Sequence, residues 1–177
     1  MTSGPFVVHV ARLRRGRAPS AREVRRGEVA LAGPLDEEGV DPFRSVVPAG
    51  AEAVAEVTLL PFEGGIDVEG TVSAPWVGTC RRCAEPVTGE VHVAVRERFA
   101  DAPLAGPSDE DLYPITDDTL DLAPLVRDAL VLELPLAPLC REDCAGLCPQ
   151  CGANRNEGAC GCVAPRDPRW ANLDVLR

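Results

Sequence analysis

The sequence predicts an α+β protein, with an antiparallel β-rich N-terminal part that carries one main helix and a small cysteine-rich segment after it. Stretches rich in β-branched residues dominate the first hundred positions, whereas the spacing of apolar residues becomes helical only after Asp121. The 17 prolines and 16 glycines divide the chain into short elements, which argues against a long-helix architecture. We expect a β-rich domain over residues 1–135 and a cysteine-rich C-terminal segment over residues 136–177.

A long β-hairpin is the main strand prediction. Residues 66–79 and 87–99 are β-branched and partly alternating, so Cys80 and Cys83 are expected at the tip between two paired strands. The other expected elements are strands over residues 5–13 and 51–62, an arginine-rich loop or short helix over 14–26, acidic turns over 33–50 and a surface loop over 101–118.

One main helix is predicted behind Asp121. Apolar residues recur there at helical spacing, Asp121 is placed to cap the first turn, and Pro135 ends the run. The apolar positions are Leu122, Leu125, Val126, Ala129 and Leu130. A short last helix is expected over residues 167–176, with the apolar residues Trp170, Leu173 and Leu176.

Eight cysteines occur in two blocks, and their number and spacing predict metal ligation. A structural zinc site takes four soft ligands in a tetrahedron, often as two close pairs from separate loops. Eight thiolates therefore complete two sites with none left over. The predicted ligands of two structural zinc ions are Cys80, Cys83, Cys140, Cys144, Cys148, Cys151, Cys160 and Cys162.

Disulfide, redox and iron–sulfur roles are the competing explanations for these cysteines. Disulfide frameworks belong mainly to secreted chains, and residues 1–15 show no signal peptide because their arginines follow the short apolar stretch. No run approaches the length of a membrane span, so we expect a cytoplasmic protein. A redox Cys-x-x-Cys normally opens a helix after a strand, whereas Cys80 is predicted between two strands.

The spacing allows two divisions of the ligands between the ions. In the favoured division, a first cluster joins the hairpin tip to the segment after the helix and so closes a long loop. The free energy of metal binding at this cluster would then contribute directly to the free energy of folding. That first cluster is Cys80, Cys83, Cys140 and Cys144, and the second cluster is Cys148, Cys151, Cys160 and Cys162. The alternative places Cys140, Cys144, Cys148 and Cys151 on one ion and Cys80, Cys83, Cys160 and Cys162 on the other.

Four segments carry motifs whose order and spacing along the chain are specific. They are residues 79–87, 120–136, 138–154 and 167–170. They resemble the bacterial YceD family, the large ribosomal RNA subunit accumulation proteins. The resemblance implies a role in accumulation or processing of 23S ribosomal RNA, with 23S RNA or a large-subunit precursor as partner. The family's gene neighbourhood adds a basic large-subunit ribosomal protein as a second implied partner. Where the family has Asn-Leu-Asn, this chain has Asn154-Arg155-Asn156, which we interpret as a surface change.

The charge distribution bears on the RNA role. Residues 1–30 hold seven arginines and two glutamates, a balance of +5, so the rest of the chain carries −15 to reach the net charge of −10. Two tetrathiolate zinc sites would bring the net charge to about −14. Bulk RNA would repel such a chain unless the arginine-rich residues 1–30 made the first contact. The expected contacts to RNA or to a protein partner are Arg14, Arg15, Arg25, Arg26, Arg81 and Arg82.

Arg81 and Arg82 have an alternative role, because arginines beside a zinc centre also offset its charge. We interpret the chain as a non-catalytic factor without a small-molecule substrate or membrane contact. Its two histidines do not lie at knuckle spacing from a cysteine pair, so a catalytic zinc with an open position has poor support. The alternative function is a zinc-dependent protein-binding adaptor or transcriptional regulator unrelated to the ribosome.

Overall fold

In a computed structural model, which describes residues 4–29, 45–101, 112–163 and 169, the chain forms a seven-stranded, mainly antiparallel sheet. The strands are β1 (Val7–His9), β2 (Ala21–Glu28), β3 (Glu52–Phe62), β4 (Gly65–Thr79), β5 (Pro86–Asp101), β6 (Tyr113–Thr116) and β7 (Thr119–Asp121). Their order across the sheet is β1-β7-β6-β5-β4-β3-β2. Strand β6 joins β5 in parallel, whereas the other neighbouring strands pair antiparallel.

Strands β4 and β5 form the long hairpin that the sequence predicts. Their pairing continues to Thr79 opposite Pro86, whereas β3 pairs with β4 only as far as Ser73. The distal part of the hairpin therefore extends beyond β3. It carries Cys80 and Cys83 at its tip, as expected.

The sheet curls around an apolar core. The segment that leads into β1 reaches β2 across this curl, because a Cβ placed on Gly27 would lie 2.5 Å from the Cβ of Pro5. Glycine at this position permits an approach that a larger residue would obstruct. The largest fully buried side chains include Phe6, Phe99, Leu59, Ile66, Leu120, Leu122 and Leu130.

Helices are few, and the structure is mostly β-sheet. The described residues contain a short helix α1 (Ala11–Arg14) and a longer helix α2 (Ala123–Glu133). Neither of these has the length and apolar character that a membrane crossing requires.

The N-cap of helix α2 lies one residue after the predicted cap. Leu122 is the N-cap residue, and the Asp121 carboxylate accepts a hydrogen bond from the Ala123 N–H at 2.9 Å. Asp121 therefore stabilises the first turn from the position before the N-cap. The helix ends before Pro135, as predicted, and its buried face consists of Leu125, Val126 and Leu130.

The distal part of the hairpin is braced by two segments from elsewhere in the chain. Val46 exchanges both backbone hydrogen bonds with Val77 of β4, at 2.8 and 2.9 Å, beyond the point where β3 stops. The buried Ser45 donates from its hydroxyl to the carbonyl of Pro135 at 2.7 Å. The chain that leaves α2 is therefore tied to the segment that flanks the hairpin.

Three element predictions are wrong. Residues 5–13 were expected to form one strand, but the strand ends at His9 and α1 follows. Residues 14–26 were expected to be a loop or short helix, but they contain most of β2, whose half-buried positions include the ion pair of Glu23 and Arg25 instead of apolar side chains. Residues 101–118 were expected to be a surface loop, but β6 lies within them.

The second and third errors occur where a strand carries no period-2 apolar pattern that the sequence could show. Strand β2 takes its stability from backbone pairing along β3, and β6 and β7 are only four and three residues long, too short to show a period-2 pattern. The predicted last helix, except Arg169, and most of the predicted acidic turns lie outside the described residues.

Candidate metal centre

The hairpin tip holds its two cysteines on a tight turn. The Cys80 N–H donates to the Glu85 carbonyl at 2.8 Å, and the Ala84 N–H donates to the Cys80 carbonyl at 2.9 Å. Ala84 has a φ of 62°, in the left-handed region that few residues other than glycine and asparagine adopt. The turn directs the backbone N–H groups of Arg82 and Cys83 toward the Cys80 sulfur, which is the arrangement of a metal knuckle.

Arg82 joins the tip to the loop that carries the other half of the first cluster. Its guanidinium donates to the carbonyls of Glu142 at 2.9 Å and Cys144 at 3.1 Å. Its own carbonyl accepts a hydrogen bond from the Leu147 N–H at 2.9 Å. Gly146 has a φ of 72°, and a Cβ there would lie 2.9 Å from the Arg82 carbonyl oxygen, so the loop passes close to the tip.

Two sulfur–sulfur distances in the first cluster are close to the edge of a tetrahedral zinc site. The Cys83 and Cys140 sulfurs are 3.6 Å apart, those of Cys80 and Cys144 are 3.9 Å apart, and all four lie within 4.8 Å of one another. A tetrahedron with zinc–sulfur bonds of about 2.3 Å has edges of roughly 3.8 Å. The same distances are much longer than a disulfide bond of about 2.05 Å. Cys140 is exposed, and the other three cysteines are buried.

The second cluster is built on a similar knuckle. The Gly152 N–H donates to the Cys148 carbonyl at 2.9 Å, and Gly152 takes the left-handed conformation with a φ of 73°. The sulfurs of Cys148, Cys151, Cys160 and Cys162 again lie within 4.8 Å of one another. Cys148 is buried, whereas the other three are exposed, so the second cluster is more open to solvent than the first.

These two groups are the sets of the favoured division. The structure does not bring Cys140 and Cys144 together with Cys148 and Cys151 in one group, as the alternative division requires. The hairpin tip and the segment after α2 supply the first set, and the last described loop supplies the whole of the second. Four convergent sulfurs, without a histidine or carboxylate in the group, form a donor set that fits a structural zinc ion.

Hydrogen bonds and neighbouring sulfurs set the thiol pKa values in opposite directions. Burial raises the pKa of Cys80, but the N–H groups of Cys83, Cys140 and Arg82 outweigh burial and lower it to about 6. The N–H groups of Cys151 and Gln150 lower the pKa of Cys148 to about 6. Each knuckle therefore favours one thiolate before any cation is present.

One thiol in each cluster, Cys140 in the first and Cys162 in the second, strongly resists ionisation. Burial and the thiols of Cys144 and Cys83 raise the pKa of Cys140 to about 12. Hydrogen bonds with Cys151 and Cys160, followed by burial, raise the pKa of Cys162 to about 12. A full set of four thiolates would therefore need a cation between them, because like charges at this distance repel strongly.

The four N-terminal arginines that were predicted to contact RNA are paired with carboxylates. Arg14 contacts Asp101 and, at 2.7 Å, Asp118, and Arg15 lies 3.3 Å from Asp118. In β2, Arg25 pairs with Glu23 at 2.8 Å and Arg26 lies 3.9 Å from Glu52.

The six predicted arginines are not brought together on one surface. Arg14 lies beside Asp101, at the end of β5 farthest from the hairpin tip, whereas Arg81 and Arg82 lie at that tip. A fully extended strand of the length of β4 spans about 45 Å. Arg81 donates to the carbonyl of Leu136 at 3.1 Å, so both tip arginines contact the segment that follows α2.

Two asparagines near the clusters have a structural role that the sequence interpretation missed. Asn156 donates from Nδ2 to the Cys144 sulfur at 3.3 Å and to the side-chain oxygen of Asn154 at 2.8 Å. No local signal in the sequence marked this role, because asparagine is common in turns. Arg155, which stands where the family has leucine, is exposed.

Comparisons with known proteins identify a family. The family model described as large ribosomal RNA subunit accumulation protein YceD matches residues 68–177. An uncharacterized protein of Mycobacterium tuberculosis is 37% identical over 174 residues, which cover 97% of this chain and 81% of that protein. A Zea mays protein named large ribosomal RNA subunit accumulation protein YCED homolog 1, chloroplastic, is 25% identical over 181 residues, covering 85% of this chain and 59% of that protein. No solved structure matches.

Proposed function

Because this chain belongs to the YceD family of large ribosomal RNA subunit accumulation proteins, we propose that it supports accumulation of 23S ribosomal RNA and assembly of the large ribosomal subunit in the bacterial cytoplasm. The family match includes the hairpin tip, α2 and both cysteine clusters. The part of the chain that matches the family model is therefore also the part with the candidate metal centre.

The proposed cofactor is two structural Zn²⁺ ions, one in each cluster. The sulfur–sulfur distances of 3.6 and 3.9 Å in the first cluster are the observation that carries this proposal, because they match the edges of a tetrathiolate site. When bound, each ion neutralises part of the thiolate charge and joins two segments of chain. In the proposed α+β arrangement, α2 would deliver a zinc-bound C-terminal segment to the sheet.

We propose that the protein is not an enzyme. Four cysteines at each ion would complete a closed tetrahedral shell, whereas catalytic zinc sites keep a position for water or substrate. The zinc ions would then act on structure alone, by holding the tip and the following loops in one arrangement.

The charge distribution favours a basic protein of the large-subunit precursor as the direct contact. The net charge is −10, and Arg14, Arg15, Arg25 and Arg26 each have a carboxylate partner. Arginines that already have a carboxylate partner contribute less to the release of counterions that drives RNA binding. An acidic surface is complementary to a basic ribosomal protein, which in turn contacts 23S RNA.

The proposal is tested in a strain that lacks this protein. We expect 23S RNA to fall relative to 16S RNA, and tagged protein to co-sediment with large-subunit precursors in a sucrose gradient. An adaptor or transcriptional regulator unrelated to the ribosome would leave the 23S to 16S ratio normal and would not co-sediment. Normal ratios in the deletion strain would therefore refute the ribosomal role.

A further inference from the structure

We propose that Asn156 couples the two cysteine clusters, so that a metal ion in the second cluster raises the metal affinity of the first. The inference rests on the proposed zinc sites and adds a thermodynamic link between them. Asn156 lies between Cys151 and Cys160, and thus inside the loop that a metal in the second cluster would close. Its side chain, however, contacts Cys144 of the first cluster.

The Asn156 amide is fully used by the protein. Nδ2 donates to the Cys144 sulfur at 3.3 Å and to Asn154 Oδ1 at 2.8 Å. Oδ1 accepts from the Ala145 N–H at 2.8 Å and from the Arg141 guanidinium at 2.7 Å. An amide group offers two donors and two acceptor positions, so all four are occupied.

This set of partners fixes the orientation of the amide. The Ala145 N–H and the Arg141 guanidinium are donors only, so a flipped amide would place its NH₂ group against two donors. The NH₂ group of Asn156 must therefore face Cys144. A donor in this position stabilises the thiolate that binds metal, and such partners of metal ligands typically change metal affinity by about 10- to 100-fold.

Backbone contacts tie the same loop to the first cluster. The Arg155 N–H donates to the Gly146 carbonyl at 2.9 Å. Leu147 and Asn154 form an isolated antiparallel β-bridge, and the Cys148 N–H donates to the Ala153 carbonyl at 2.8 Å. The position of Asn156 therefore depends on the fold of the second-cluster loop.

Metal binding at the second cluster would close that loop and reduce its conformational freedom. Asn156 would then be held in contact with Cys144 for a larger fraction of the time, which would strengthen metal binding at the first cluster. Because coupling between binding sites is reciprocal, metal in the first cluster would strengthen binding in the second by the same factor.

A double-mutant cycle tests the coupling. The four proteins are the unaltered chain, the Asn156→Ala variant, a variant that carries Cys160→Ser and Cys162→Ser, and the combination of all three changes. Zn²⁺ is withdrawn by a series of chelators of increasing strength, and occupancy of the first cluster is followed through the amide NMR signals of Arg82 and Ala84.

In the unaltered background, we expect loss of the second cluster to lower the Zn²⁺ affinity of the first by about tenfold. In the Asn156→Ala background, the same loss should change that affinity by less than about twofold. An equal decrease in both backgrounds, or no decrease in either, would overturn the coupling. Absence of zinc from the unaltered chain would refute the metal centre itself, and the coupling with it.

Two further variants separate the N–H···S contact from general damage to the loop. Asn156→Asp keeps an oxygen for Ala145 and Arg141 but replaces the donor that faces Cys144 with a carboxylate oxygen, so it should lower the affinity of the first cluster at least as much as Asn156→Ala. Glu157→Gln changes an exposed residue of the same loop and keeps an oxygen for Asn154 Nδ2, which donates to the Glu157 carboxylate at 3.4 Å. It should leave the affinity of the first cluster unchanged, and a decrease as large as that of Asn156→Ala would contradict a specific role for Asn156.

Discussion

Arg82 donates from its guanidinium to the backbone carbonyl of Cys144 at 3.1 Å. It also reaches the carbonyl of Glu142 at 2.9 Å. An arginine of the hairpin tip therefore holds the loop that supplies the opposite half of the first cluster. This contact gives Arg82 a structural role beside the thiolates, and the charge offset considered for it from the sequence stays a prediction.

Replacement of Arg82 by glutamine should loosen the first cluster. We expect zinc release to a chelator to become at least about tenfold faster and the free energy of unfolding to fall by about 1–3 kcal/mol, because two carbonyls lose a charged donor. Arg96→Gln is the matched control, since Arg96 is an exposed arginine of the same hairpin that pairs with Glu69 at 3.0 Å. A similar response to Arg82→Gln and Arg96→Gln would contradict the structural role of Arg82.

The two clusters should differ in their importance for the fold. Cys83→Ser opens the connection between the hairpin and the segment after α2, so we expect hydrogen exchange to accelerate across β4 and β5. Cys151→Ser opens a local loop, so it should accelerate exchange mainly in residues 145–163, with a weaker effect at the tip. Equal loss of protection in β4 and β5 for both variants would show that the clusters do not divide the structure in this way.

Replacement of Arg14, Arg15, Arg25 and Arg26 by glutamine should not abolish association with large-subunit precursors. These arginines are already paired with carboxylates, and we propose that a basic protein makes the direct contact. The measurement is co-sedimentation over a range of salt concentrations, for which we expect affinities within about threefold and similar salt slopes. A marked flattening of the salt slope would instead support the sequence-based prediction that these arginines contact RNA.

Tyr113 should titrate far above an ordinary tyrosine. Burial, followed by the hydrogen bond to Asp128 at 3.0 Å, raises its pKa to about 12. It is the chain's single tyrosine, so the ultraviolet absorbance of tyrosinate reports it directly. Asp128→Asn should move the midpoint part of the way toward the ordinary value of about 10, because burial remains.

The sign of the associated stability change follows from the direction of the shift. Folding raises the pKa of Tyr113, so this contribution to stability is fully present below about pH 10 and is lost as the pH rises toward 12. Tyr113→Phe should show a smaller loss of stability over the same range in denaturant unfolding. A midpoint near 10 in the folded protein would contradict the contact with Asp128.

The parts of the structure that the sequence predicted are those with local signals. Alternation along β4 and β5 predicted the hairpin, helical spacing after Asp121 predicted α2, and the close cysteine pairs predicted the two groups of sulfurs. Each signal is contained within a short stretch of chain. Packing elsewhere in the fold did not override it.

The missed features depend on contacts that no local pattern records. The position of β2 depends on pairing with β3, and its inward Glu23 and Arg25 stabilise each other without an apolar alternation. The contact between Asn156 and Cys144 exists only when two separate loops are folded against each other. Asparagine is common in turns, so its presence in a cysteine-rich loop gave no reason to expect this contact.

The metal content of the protein tests the central claim most directly. Native mass spectrometry of protein purified without a chelator should show two zinc ions per chain, and Cys83→Ser and Cys151→Ser should each lower the number toward one. Absorbance typical of an iron–sulfur cluster would show that the cysteines hold iron and not zinc. A chain that carries no metal, with its cysteines reduced or joined in disulfides, would contradict the account.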